Sequence, residues 1–262
     1  MDSAQGDLMS EIHAGASHAQ PPASASAGFI HNGRPYWNAA AADEIAESSD
    51  EFRNQFKIRV VDNSSRRVRA SDLIQRRYAW RGYSASPLGR NDAGRVTLSA
   101  CVEDATVATI TAALDSPEGL YVSRLYPDEV RALRAEGRKL CEFTKLAVDE
   151  SVRSHAVLGA IFHVACMYVL NLHQCTDVLI EVNPRHVKFY QRMLGFKRVG
   201  AERLDPEVRA PAVLLRLDLD HCATEINRLG GRRQAIEGER SFYPYFFAPD
   251  EAAQIVGRLR GH

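Results

Sequence analysis

Hydrophobic and polar positions change period along the chain, and the changes mark its elements. The run Phe56-Lys57-Ile58-Arg59-Val60 alternates with period two and predicts a strand that opens the folded part. Ser71-Asp72 offers a cap before Leu73, Ile74, Tyr78 and Trp80, predicting a helix that ends near Gly82. A Gly/Pro/Asn loop over residues 84–94 leads into two strand-like runs, 96–102 and 106–114, separated by Glu103-Asp104-Ala105 as an antiparallel hairpin. Pro127 opens a short helix that closes near Gly137, and residues 139–148 (KLCEFTKLAV) alternate as a strand.

The most apolar segment lies within residues 154–172, broken by His163 and Asn171 into runs far shorter than the roughly 20 residues that span a bilayer. It predicts a helix buried on most sides. A strand over 178–182 follows, then Asn183-Pro184 opens a helix to Leu194, which Gly195 ends as a C′ glycine. Residues 196–199 and 213–219 complete the sheet. Beyond them lie a helix at 222–229, an aromatic cluster (Phe242, Tyr243, Tyr245, Phe246, Phe247) and an amphipathic end at 249–259. A strand, a long helix and another strand imply a right-handed crossover to a parallel neighbour inside an otherwise antiparallel sheet.

Composition divides the chain. The 33 basic and 33 acidic residues of the 262 cancel overall. Residues 1–55, however, hold eight acids against Arg34 and Arg53, a local net charge of −6, which leaves +6 for the rest. Residues 1–50 are rich in Ala, Ser, Gly and Pro and read as a disordered acidic tail. The catalytic domain is expected over 56–220, with 221–262 as a helical and aromatic extension packed on it. The near-neutral balance makes no case for a nucleic-acid partner. Five cysteines without a CxxC pair suit reduced, buried thiols, and no basic, apolar leader or membrane-spanning run appears, so the expected location is cytoplasmic.

The element order and the block VNPRHVKFYQRMLGF (182–196) resemble the GNAT acyltransferase fold, a mixed, mostly antiparallel α/β sheet flanked by helices; Asn183, Tyr190 and Gly195-Phe196 match its elements, with Tyr190 to Gly195 one residue longer than the commonest spacing. Enzymes of that fold that use coenzyme A usually carry a Gln/Arg-x-x-Gly-x-Gly/Ala turn before the long helix, whose backbone N–H groups hold the cofactor's diphosphate. Here Arg153 to Ala160 reads RSHAVLGA, without the first glycine in register. An acyl group on the phosphopantetheine arm of a carrier protein has no such diphosphate and does not need the turn. The strand Glu142-Phe-Thr-Lys145 is similar to the Glu-x-x-Arg strand of acyl-homoserine lactone synthases, with Lys145 in place of Arg.

From about Phe56 to Phe247 the chain resembles FeeM-type long-chain N-acyl amino acid synthases, through Arg77-Tyr78, the Glu142 strand, the 182–196 block and the Tyr-Pro-Tyr-Phe-Phe tail. The resemblance implies transfer of a fatty acyl chain from acyl carrier protein to the α-amine of a free amino acid, with acyl-phosphopantetheine as donor and no bound cofactor or metal. Acyl-homoserine lactone synthesis, coenzyme A-dependent acetylation and nucleic-acid binding are the rival readings.

Aminolysis of a thioester needs a neutral amine, a proton acceptor and donors for the developing oxyanion. Glu142, a carboxylate inside an apolar strand, is the candidate base, against a strand carboxylate paired with Lys145 or an Arg. Backbone N–H groups near Ala147 or Val148, in a bulge of the same strand, are the candidate oxyanion donors. Tyr190 is the candidate acid for the leaving thiolate, against a core aromatic. Arg77 is expected to fork onto the acceptor's carboxylate, with Lys145 and Asn183 also contacting substrate. Arg153, Arg185, Lys188 and Arg192, with the eight basic residues between 56 and 81, are expected to face the acidic carrier protein. His163 and Cys166 lie three apart on the buried helix, but with no second pair they read as core residues.

Overall fold

The computed structural model describes residues 56–79, 88–89, 94–152, 155–232 and 238–260. The expected acidic tail, Trp80, Gly82 and Arg153 lie outside the described residues. Among the described residues eight strands, β1 (Lys57–Val60), β2 (Arg95–Val102), β3 (Ala105–Leu114), β4 (Leu140–Val148), β5 (Asp177–Val182), β6 (Lys197–Arg198), β7 (Arg203–Asp205) and β8 (Ala210–Asp218), form a mixed sheet in the order β1-β2-β3-β4-β5-β8-β6, with β7 paired to β8.

The alternating run is β1 (Lys57–Val60), with Ile58 and Val60 buried. Helix α1 (Ser64–Ala79) starts earlier than expected. Asn63 Oδ1 accepts from the Arg66 N–H at 2.9 Å, and Ser71 lies buried within the helix with its Oγ accepting from Leu88 N–H at 3.0 Å. The first turns carry serines and arginines rather than an apolar stripe, so periodicity begins only at Leu73. The hairpin β2 (Arg95–Val102) and β3 (Ala105–Leu114) closes on Glu103-Asp104, with Glu103 in the left-handed region at φ 52°.

A 3₁₀ turn (Tyr121–Arg124) precedes α2 (Pro127–Ala135) and β4 (Leu140–Val148). Helix α3 (His155–Met167), continued by a π-helical turn (Tyr168–Leu172), then carries the chain to β5 (Asp177–Val182), which pairs parallel to β4. Every other neighbouring strand pair is antiparallel. Although His155–Leu172 is long and apolar enough to cross a membrane by length and composition, 78% of it is buried inside the fold.

After β5, Asn183 caps the turn Pro184–His186, and α4 (Val187–Leu194) ends at Gly195, whose φ of 80° suits a C′ glycine. Two short strands, β6 (Lys197–Arg198) and β7 (Arg203–Asp205), precede β8 (Ala210–Asp218). The Asp218 carboxylate caps α5 (Leu219–Leu229) through the N–H groups of Asp220 and His221, so this helix begins before the expected Cys222. A 3₁₀ turn (Tyr243–Tyr245) and α6 (Pro249–Arg260) finish the chain.

The two faces of the sheet are covered differently. One carries the main core, in which Ile58, Leu98, Ile110, Phe143, Ile180 and Leu215 meet α3 and the aromatic tail. The tail is fastened there by directed contacts: Phe242 N–H donates to Met193 O at 2.8 Å, Tyr243 Oη to Leu194 O at 2.7 Å, and Phe247 N–H to His163 Nδ1 at 2.9 Å. His163 also stacks on Phe246 with centroids 4.7 Å apart, so the buried histidine is an anchor for the tail. Gly159 lets the tail approach, because a Cβ there would stand 2.8 Å from Tyr245 Cβ and 3.3 Å from the Phe242 carbonyl oxygen.

On the opposite face are two smaller clusters. Leu73, Ile74 and Tyr78 of α1 cover Ala147, while Val122, Tyr126 and Val130 cover Leu140, Leu179 and Leu214. Between Leu140 and Ala147, β4 presents Glu142 and Thr144 to this face. The interval between the two clusters is the polar part of the sheet.

Candidate active site

The register of β4 creates an opening. Its parallel pairing with β5 runs only from Leu140↔Asp177 to Glu142↔Leu179. Past that point β4 follows β3 as far as Val148, while β5 follows β8 as far as Val182, so the two central strands part. On the β3 side, Thr109↔Ala147 and Thr111↔Thr144 leave Lys145 and Leu146 opposite Ile110, which is a β-bulge. Lys145 takes φ 50°, and its carbonyl accepts from Thr109 Oγ1 at 2.9 Å. The backbone of β4 beyond Glu142 thus faces a wedge rather than a ladder, open to an extended ligand with amide groups of its own.

Buried polar side chains lie to one side of the wedge. Thr97, Thr111 and Thr144 share one row across β2, β3 and β4, and the hydroxyls of Thr97 and Thr111 are 2.8 Å apart. Ser99, Thr109, Glu142 and Glu181 occupy the same face and are buried. Such groups are costly in an apolar core, so their concentration on one face marks a place for polar chemistry.

Of the expected site residues, Glu142, Lys145, Ala147 and Val148 come together along β4, and Asn183 stands where β5 ends, across the wedge. Glu142 is only 1% exposed, and its carboxylate accepts from the N–H groups of Tyr121 at 2.7 Å and Val122 at 3.2 Å. It caps the 3₁₀ turn from a distant strand. Lys145 is pushed down to about 8, first by burial and then by the like charge of Arg95. Asn183 accepts from the Arg185 N–H at 3.2 Å.

Arg77, buried in the last turn of α1, is ion-paired with Glu150 just past β4. The chain itself supplies the carboxylate expected of an acceptor. Tyr190 is fully buried and packs edge-on against Phe189 and Phe196, with centroids 5.2 and 5.9 Å away, within the main core. Arg185, Lys188 and Arg192 are all exposed at helical spacing beyond the end of β5. The earlier basic run contributes less surface than expected, since Arg66 pairs with Asp62 at 2.8 Å and, like Arg77, is buried.

Three further residues bear on the site. Glu181 has the same signature as Glu142, a carboxylate at an alternating position in an apolar strand. Tyr121, whose N–H binds Glu142, is hydrogen-bonded through Oη to Glu207 beyond β7, and Arg124 pairs with the same carboxylate at 2.8 Å. Only the tertiary arrangement shows these contacts. All five cysteines are buried; burial and the neighbouring Cys175 thiol push Cys141, and the Cys222 thiol and burial push Cys166, well above the ordinary thiol range. Neither is a nucleophile in this state. Among the described residues no three His, Cys, Asp or Glu side chains gather as a metal site.

Comparison with known proteins places this geometry in context. The model of the family "N-acyl amino acid synthase FeeM" matches residues 69–218. The solved structure of FeeM, an N-acyl amino acid synthase from uncultured soil microbes, is 26% identical and superposes with a TM-score of 0.55, covering 64% of this chain and 94% of that one. The acyl-homoserine lactone synthase LasI (13% identity, TM-score 0.43, 63% and 90% covered) and an acyl-CoA N-acyltransferase from Pseudomonas aeruginosa (14%, 0.39, 62% and 97%) are more distant. No curated protein sequence matches the chain.

Proposed function

Because the chain belongs to the N-acyl amino acid synthase FeeM family and is an acyltransferase of the GNAT fold, we propose that it moves a long-chain acyl group from the phosphopantetheine thioester of acyl carrier protein to the α-amine of a free amino acid. The observation that carries the reading is the wedge between β4 and β5, bulged at Lys145 and flanked by buried threonines and carboxylates. A pantetheine arm has two amides and would pair with the freed backbone edge of β4, which sets the thioester beside the bulge. The N–H of Val148, which alternates with the Asp149 N–H bonded to Val107 O and so turns away from β3, is the oxyanion donor in this reading.

The reaction is direct transfer. The neutral amine nitrogen attacks the thioester carbonyl, the C–N bond forms, and the amine's proton passes to a base. The oxyanion then collapses with cleavage of the C–S bond, and the thiolate takes up a proton. No acyl-enzyme is needed, which agrees with the burial of every cysteine. Glu142 acts here as a positioning residue, because its carboxylate holds the 3₁₀ turn that roofs the polar face. Tyr190 serves as packing, enclosed as it is by Phe189 and Phe196. The depressed Lys145 supplies a positive charge below about pH 8 for the acceptor's carboxylate.

Carrier protein is favoured over coenzyme A by what Gly159 does. It lies inside α3 and accommodates Phe242 and Tyr245, rather than a diphosphate. The exposed Arg185, Lys188 and Arg192 form a basic patch next to the end of β5, suited to an acidic carrier. The test is mass spectrometry of lipid extracts from cells expressing the protein. New acyl amides are expected; their absence at wild-type expression would refute the reading.

A further inference from the structure

With Glu142 occupied in capping, the reaction still requires a proton acceptor. Four carboxylates are buried among the described residues: Glu142, Asp177, Glu181 and Asp205. Asp177 is bound by Arg138 and Arg216 at the closed end of the β4–β5 pair. Asp205 lies in the β7–β8 hairpin and receives the Glu207 N–H at 2.7 Å. Glu181 is placed differently. It stands on β5 one step along the same face from Leu179, the last residue paired with β4, so it marks the point where the strands separate. It is 2% exposed, on the face that carries Glu142 and Thr144.

Its neighbours can be named. Leu214 is its cross-strand partner on β8, and Tyr126 lies close enough for the Glu181 charge to help raise the phenol above its usual range, after burial itself. Arg203 stacks on the Tyr126 ring at 4.6 Å, and Arg198 also acts on that phenol. Thr144 is the nearest β4 residue on this face by register, across the wedge.

We propose that Glu181 is the proton acceptor of the aminolysis, taking the proton of the attacking amine directly or through one water at the fork of β4 and β5. The inference rests on the acyl-transfer reading above. In the step, the amine lone pair forms the C–N bond, the N–H proton moves to a Glu181 oxygen, and the C–S bonding pair leaves with sulfur. The same proton is then available to the thiolate, so the carboxylate is regenerated each turnover.

The test compares wild type, Glu181→Gln and Glu142→Gln, using acyl carrier protein loaded with a fatty acyl group and a mixture of amino acids as acceptors. Glu181→Gln should lower kcat with amino acids by about 10²- to 10⁴-fold. Glu142→Gln should lose the same fraction of its rate with amino acids and with hydroxylamine. Hydroxylamine, an amine already neutral at neutral pH, should restore much of the Glu181→Gln rate once the protein-free reaction of hydroxylamine with the thioester is subtracted, and a folding defect does not allow such protein-dependent rescue. Undiminished turnover by Glu181→Gln, or a loss equal for both amines, would overturn the role of Glu181. No product from wild type would overturn the acyl-transfer reading, and the inference with it.

Discussion

Replacing Gly159 with Ala separates two roles that a glycine at the start of the long helix can have. If it accommodates the aromatic tail, the new Cβ meets Tyr245 Cβ at 2.8 Å and the Phe242 carbonyl at 3.3 Å. Neither atom is the tip of a flexible side chain, so the backbone of the tail must shift, at a cost of about 1–3 kcal/mol. Against this stands the helix-propensity gain of Ala over Gly, up to about 1 kcal/mol. The middle of the first range less the full propensity gain leaves a net loss of about 1 kcal/mol. For a domain of this size that lowers Tm by roughly 2–4 °C.

Gly257 is the control, an exposed helical glycine in α6 whose added Cβ meets nothing within 4 Å. Gly257→Ala should therefore raise Tm by a few degrees. Thermal melts of the full chain read both changes. A Gly159→Ala protein that melts at or above wild type while losing donor affinity would refute the packing role and favour a phosphate turn.

Other consequences follow from single contacts. Asp177 is fully buried and bound by Arg138, Thr176 and Arg216, whose hydrogen bonds outweigh burial and hold its carboxyl below the usual range. Asp177→Asn should cost about 3–5 kcal/mol in chemical denaturation. The stability this group contributes is present above its unfolded pKa and should be lost as pH falls through the lower folded value. Lys145 binds its proton less tightly folded than unfolded, so stability should rise between about pH 8 and 10.5, and Lys145→Met should flatten that rise. Reversing Arg185, Lys188 and Arg192 to Glu should raise KM for acyl carrier protein with little change in kcat, and should weaken the salt dependence of kcat/KM.

Much of this architecture was legible along the chain because it rests on local periodicity. The alternating 56–60 run, the β2–β3 hairpin, the apolar α3 crossover and the Asn183 and Gly195 caps all follow from nearest-neighbour chemistry. Register does not. The bulge at Lys145 depends on how β3 and β4 pair, and no residue type announces it. Ser71-Asp72 offered good cap chemistry, but Asn63 won because it stands at the true start of the backbone helix.

The site was half visible for the same reason. Glu142 stood out as a carboxylate in an apolar strand, yet the two amides that occupy it lie in a turn with no periodic signature. Glu181 carried the same signal inside a run read only as a strand. Arg77 was expected to bind an external carboxylate, and the fold brings Glu150 to it instead. His163 was rightly placed in the core, but its bond to Phe247 joins segments far apart in the chain.

The acyl amide itself is the most direct measurement. Purified protein, acyl carrier protein charged with a fatty acyl group and the common amino acids should yield an N-acyl amino acid by mass spectrometry, with free carrier thiol released in equal amount. The same acyl group on coenzyme A should be used far less efficiently. Thiol release without an acyl amide, or a clear preference for the coenzyme A thioester, would contradict the proposed transfer from carrier protein to an amino acid.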